Sequence, residues 1–418
     1  MKENEILVLG SGEKHKKYRL WGVIAASLLL FAIAAIFMVK RCGKSVEVPQ
    51  DTTSTIDIEL QHAVDSLLNA ELELIGGAQG QVIVMEVETG EILAMAGRER
   101  RFDKQLYPCK NFAYQQEIFS MLSPISLLVA LETGQVKLTD IEDMGDGVWA
   151  IDEELTLKDH NWRNGGYGKL TLERGLEVSS SIAIGKTIWK LFKGHEQDYF
   201  NKLDSMSFGQ PATIDGIEGL YPMSYHSPAD SGWVNKDIIW SAVGSNRKIA
   251  PIQMLTFFNA IANNGKMVKP MLRKGDTEVI NNQIAKRENI VLMQQALEHV
   301  VSQGLGKRAG SEHVKVAGKT GRSNVNEYYD GENTVTEYHI AFCGYFPADA
   351  PKYSMIVSMN KLGLPASGGL MAGVLFHDIV EWMITHDRPT LLYVDDDTND
   401  TIKVTKEFLK KNGRKNKQ

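Results

Sequence analysis

Residues 21–39 read WGVIAASLLLFAIAAIFMV, nineteen positions without a charge. That length matches the ~20 apolar residues needed to cross a hydrocarbon core ~30 Å thick. A helix on the surface of a soluble domain carries a polar stripe, and this run has none. Lys14, Lys16, Lys17 and Arg19 precede it, while Lys40, Arg41 and Lys44 follow. Basic residues favour the cytoplasmic side, so the heavier N-terminal flank predicts a cytoplasmic tail over 1–20 and one transmembrane helix over 21–39. Everything beyond is then extracytoplasmic. Cleavage as a signal peptide is disfavoured, because the run exceeds the usual ~7–15 apolar residues and Val39-Lys40-Arg41 offers no small-x-small site. The expected location is the cytoplasmic (inner) membrane, single-pass, with the C-terminal domain extracytoplasmic or periplasmic.

The remaining chain divides into a polar linker over 40–54, a folded region over 55–387 and a charged, solvated tail over 388–418. A linker of this length reaches at most ~50 Å at ~3.3–3.6 Å per residue, which keeps the domain near the membrane surface. The net charge of -6 argues against a general nucleic-acid binder. Cys42, Cys109 and Cys343 are odd in number and widely spaced, with no CxxC pair, and the ten histidines form no HExxH. Neither a disulfide framework nor a metal site is expected, and no cofactor.

Within the folded region, 55–75 has the apolar spacing of a helix. GQVIVMEV (80–87) and EILAMAG (91–97) are β-branched runs joined by Glu88-Thr89-Gly90, a hairpin signature. The middle, 110–310, is helical in pattern, with helices predicted over 118–134, 170–192 and 251–265. Strands return at 314–321, 338–346 and 352–360, and a last helix covers 371–385. Strands from both ends of the chain must meet in one antiparallel sheet beside a segregated helical block, an α+β architecture.

IDIELQ…GAQGQVIVMEVETGEILAMAG, VALETG, EVSSS, APIQMLTFFNAIANNGKMVKPML, HVVSQGLGK…VKVAGKTG and FCGYFPADAPKYSMIV occur in this order over about 55–387. In that series the chain resembles the transpeptidase domain of penicillin-binding proteins, within the serine D,D-peptidase and β-lactamase-like superfamily. The resemblance implies the corresponding serine β-lactamase/transpeptidase-like fold, preceded here by the transmembrane helix. It also implies peptidoglycan stem peptides and β-lactams as partners, and membership of a cell-wall synthesis complex.

Acyl transfer from a D-Ala-D-Ala peptide needs a nucleophilic serine, a base and donors for the developing oxyanion. The family's SxxK motif aligns on Ser120, the nucleophile position, and places Ser123 where the family has its lysine. Pro124 is tolerated only in a first helical turn, so a helix should begin near Ser120. The family's Ser-x-Asn aligns on Ser179 and puts Ser181 where the asparagine stands. Lys319, Thr320 and Gly321 retain the Lys-Thr-Gly strand, implying substrate binding by Thr320, Gly321 and the following Arg322, which replaces the usual Thr or Ser.

These substitutions open two readings. A hydroxyl cannot serve as base for another serine, and general-base assistance is worth ~10²–10⁴-fold, so a weakened or inactive relative that binds wall peptides is one. An active D,D-transpeptidase or carboxypeptidase acylated at Ser120 is the other, with Lys319, or more remotely Lys186, taking over as base. Ser120 as a helix cap, and Ser179 to Ser181 as small packing residues inside a helix, are the non-catalytic alternatives.

Overall fold

The computed structural model describes residues 53–386 apart from 118, 154, 246 and 332. The expected transmembrane helix over 21–39 and the tail over 388–418 lie outside the described residues, and among the described residues no helix is long and apolar enough to cross a membrane.

Helix α1 (Ile58–Ile75) starts at Asp57, whose side chain accepts from the Leu60 N–H, and ends at Gly76 in the left-handed region. This is the capping chemistry that satisfies orphan backbone groups at both ends. Strands β1 (Gly77–Glu86), β2 (Ile92–Arg100) and the short β3 (Leu106–Pro108) follow. Near the other end come β4 (Ala317–Asp330), β5 (Asn333–Phe346) and β6 (Tyr353–Leu362). They form one sheet in the order β4-β5-β6-β1-β2-β3, antiparallel at every junction. Strands from the two chain ends therefore meet at the β1–β6 pair, where Ile83 faces Ile356 and Val84 faces Met355.

Side chains of a strand alternate between faces, and this sheet separates two cores accordingly. Val82, Val84, Phe342, Phe346, Met355 and Val357 pack beneath α1 and the C-terminal helix α9 (Gly373–Thr385). Ile83, Met85, Ala341, Cys343, Tyr345 and Ile356 face the helical block. That block contains α2 (Ser123–Glu132), α3 (Leu172–Glu177), α4 (Ser181–Phe192), α5 (Gln197–Ser205), α6 (Asp237–Ala242), α7 (Pro251–Ala262) and α8 (Arg287–Ser302). Asn259 on the wholly buried α7 ties block to sheet: its Nδ2 donates to Val87 O at 3.0 Å and its Oδ1 accepts from Ser354 Oγ at 2.7 Å.

Two expectations are corrected. The helix predicted over 170–192 is two helices, broken at Val178 to Ser180, because Ser179 adopts φ +57° and Ser180 starts α4 as its N-cap. Serines compete for local backbone groups, and three in a row favour a break over a continuous helix. The helix expected from 118 begins at Ser123, after a single tight turn over Phe119–Met121.

Candidate active site

Period-two alternation along β4 sends Ala317, Lys319 and Ser323 to the face covered by the helical block. Lys319 is 0% exposed and lies opposite Cys343 on β5. Its Nζ donates to Ser179 Oγ at 2.6 Å and to Thr320 O at 2.9 Å. Among the described residues no carboxylate pairs with it. Burial alone pulls its pKa down from 10.5 to about 7, because a dry pocket disfavours the ammonium form. Thr320 and Gly321 are buried beside it, and Arg322 is exposed with its guanidinium over the Tyr338 ring.

The turn containing Ser120 packs against β4. Just before it, Ser323 Oγ donates to Glu117 O at 3.0 Å, and buried His339 lies 3.1 Å from the same oxygen. Phe119 has φ +40°, and its carbonyl lies so close to Gly244 that a Cβ there would come within 2.3 Å of it. Ser120 is half-buried and Ser123 is 2% exposed, as the first residue of α2. Among the described residues neither hydroxyl has a hydrogen bond.

Ser179 to Ser181 have three separate placements. Ser179 is half-buried in the left-handed turn and holds Lys319. Ser180 accepts from the Ala183 N–H at 3.1 Å and donates to Asp159 Oδ2 at 2.6 Å. Ser181 is the first residue of α4. Asp159 also accepts from the Ile182 N–H at 3.1 Å. Burial raises its pKa, and the Ser180 hydroxyl and the Ile182 and Ser181 amides oppose the shift. The expected mid-helix packing role for these serines is therefore replaced by a capped turn. Lys186 donates to Asp143 O at 2.6 Å, which ties its amine to the 141–143 strand.

Sequence reasoning missed Asp159, His160 and Gly368-Gly369. His160 lies 3.0 Å from the Tyr167 hydroxyl, and its pKa is lowered by desolvation, with Arg322 and Lys319 adding to the effect and Asp159 opposing. That coupling places the 159–160 loop beside β4. A Cβ on Gly368 would come within 2.4 Å of Gly321 O, so only glycine allows this approach to the strand. Neither loop carries a motif; a polar pair and a Gly-Gly are common in any surface segment.

One group among the described residues has metal-ligand spacing, Glu173, Glu177 and His299. Arg174 pairs with Glu177, and His299 Nδ1 lies 2.9 Å from Glu173 Oε1, so contacts with Arg174 and within the group account for it.

The penicillin binding protein transpeptidase domain matches residues 80–381. Stage V sporulation protein D of Bacillus subtilis is 25% identical over 361 residues, covering 79% of this chain and 53% of that protein. PbpB of Mycolicibacterium smegmatis is 25% identical, with 80% and 54% covered. Peptidoglycan D,D-transpeptidase FtsI of Escherichia coli K12 is 21% identical, with 80% and 59% covered. The chain thus spans about half the length of the curated relatives it matches. Among solved structures, the TP domain of Burkholderia pseudomallei penicillin-binding protein 3 superposes with a TM-score of 0.67 at 20% identity, covering 79% of this chain and 95% of that one. Penicillin-binding protein 2B of Streptococcus pneumoniae gives 0.68 at 18%, with 80% and 60% covered. At these identities the structural likeness establishes the fold.

Proposed function

This chain belongs to the penicillin-binding-protein transpeptidase family, and on that premise we propose that it is a membrane-anchored protein of peptidoglycan synthesis that binds D-Ala-D-Ala stem peptides and β-lactams but is weakened or inactive in turnover at Ser120. The observation that carries this reading is the contrast between two motifs. Lys319 keeps a short hydrogen bond to Ser179, while Ser123 places a hydroxyl where the family's base belongs. Thr320, Gly321 and Arg322 line the strand that receives the peptide. Arg322 offers a guanidinium to its terminal carboxylate, a pairing that guanidinium geometry favours. Residues 21–39 anchor the protein, and its folded part works outside the cytoplasmic membrane within a cell-wall synthesis complex.

The test restores the missing groups. In the full-length chain, binding of a D-Ala-D-Ala peptide is measured by calorimetry and turnover by D-Ala release. The Ser123→Lys/Ser181→Asn variant should release D-Ala ~10²–10⁴-fold faster than the wild type, the range a general base supplies. Equal rates at the family's normal level would sink the weakened reading in favour of an active enzyme acylated at Ser120.

A further inference from the structure

We propose that the tyrosine-bearing rim at the far end of β4, formed by Tyr114 and Tyr328, is a subsite for the amino-sugar end of the substrate, the glycan strand to which a stem peptide is attached. The inference rests on the reading of β4 as the strand that receives the peptide, and extends that site outward.

Burial fixes the direction in which the peptide can run. β4 is the edge strand of the sheet, so an extended peptide can lie along it. Residues 317–321 are all buried, whereas 322, 324 and 326–329 are exposed. A peptide whose terminal carboxylate meets Arg322 has one open course along the strand, toward Tyr328. Arg322 and Tyr328 are roughly 17–20 Å apart at ~3.3 Å per residue, allowing for the bulge between Asn324 and Asn326. An extended stem of about five residues spans ~17 Å, so its sugar-bearing end arrives at Tyr328.

The bulge also decides which face Tyr328 presents. Ser323 shares a face with Lys319, and the extra residue returns Asn326 and Tyr328 to that same face. There the Tyr328 hydroxyl donates to Glu337 Oε2 at 2.8 Å, Asn326 Nδ2 donates to the same oxygen at 2.8 Å, and Asn360 Nδ2 donates to Oε1 at 3.0 Å. Glu337 is 7% exposed and Tyr328 49%, so a buried carboxylate fastens an open ring. The hydrogen bond to Glu337 raises the Tyr328 pKa, and Tyr114 adds to the rise, which makes Tyr114 a neighbour of that hydroxyl. Tyr114 is exposed as well, and the adjacent Gln115 Nε2 donates to the carbonyl of a further exposed ring, Tyr221, at 3.0 Å. Open, fixed aromatic faces suit pyranose rings. The sugar's C–H bonds lie on the negative ring face while its hydroxyls stay in water. The match in reach and the continuity with β4 select this occupant.

Calorimetry on the full-length chain compares two ligands, a D-Ala-D-Ala pentapeptide and the same peptide carried on an N-acetylglucosaminyl-N-acetylmuramyl disaccharide. The wild type should bind the sugar-bearing ligand about tenfold more tightly, the scale of stacking on two rings. Tyr114→Ala/Tyr328→Ala should lose that preference and keep its affinity for the free peptide, while Tyr114→Phe should retain the preference. Equal affinities in the wild type, or a preference that survives in the double variant, overturn the inference and leave the proposed function standing. Failure of both ligands to bind the wild type removes the two together.

Discussion

A buried lysine without a carboxylate is costly, and Lys319 shows where that cost falls with pH. Its folded-state pKa of about 7 lies below the 10.5 of an exposed lysine. Between those values the unfolded chain binds more protons than the native one, so this residue makes stability rise as pH climbs from about 7 to 10.5. Below about 7 the native state carries the full penalty. Lys319→Met removes it, at about 1.4 kcal/mol per pKa unit, offset by the lost hydrogen bonds to Ser179 and Thr320 O at ~1 kcal/mol each. The variant should therefore melt several degrees above the wild type at pH 6, and at or below it by pH 10.5, read from thermal unfolding across that range. A difference that stays flat with pH would mean that Lys319 titrates as an exposed amine. The charged or titratable groups beside it, Asp159, His160 and Arg322, are common to both proteins and cancel in the comparison to first order.

At the scale of elements, the packing of α1 on α9 buries a second awkward charge. Glu71 on α1 is 8% exposed, and its pKa rises from 4.5 to about 7, first through desolvation and then through Asp378 on α9. Here the native state binds more protons than the unfolded chain between pH 4.5 and 7, so stability falls as pH rises through that window. Glu71→Gln should raise the melting temperature at pH 8 and leave it unchanged at pH 4; a gain of equal size at both would assign the effect to packing alone. The same scale separates what was legible in the sequence from what was not. The β1–β2 hairpin, α7 and the three C-terminal strands follow from period-two and helical apolar patterns, and β4 was legible as the Lys-Thr-Gly strand. The α3–α4 break was not, because LTLERGLEVSSSIAIGK keeps helical apolar spacing across it. The serine run permits a break, and tertiary contacts, Gly304 against Glu177 O and Asp159 on Ser180, fix the turn where it falls. The Lys319–Ser179 contact spans 140 positions in sequence. Local pattern could nominate each member, and only the closed sheet brings them together. Asp159 and His160 entered the site by the same long-range closure, with no local signal to announce them.

At the scale of the whole molecule, the β1–β6 junction makes the two cores interdependent. β1 is an interior strand, and its odd and even residues serve opposite faces: Val84 lies under α1 and α9, and Ile83 faces the helical block. Among the described residues the helical block has no sheet of comparable size of its own, and Asn259 on α7 is bonded to both Val87 and Ser354. Damage on one face should then be felt on the other. Val84→Ala removes two buried methyl groups beside Ala94 and Met355, a loss of ~1.5–3 kcal/mol by comparison with other core truncations. If the folded part opens as one cooperative unit, the slowest amides of α7, on the opposite face, should exchange roughly 10- to 100-fold faster in the variant, matching those of β5 and β6. Native-state hydrogen exchange reads this directly. If α7 kept its protection while β5 and β6 lost theirs, the block would be a separate folding unit. The Ser179–Lys319 pair, with one member on the block and one on the sheet, would then open without global unfolding. Equal acceleration ties the geometry of that pair to the stability of the folded part as a whole, because the packing of the block's α3–α4 turn against β4 holds the two residues 2.6 Å apart.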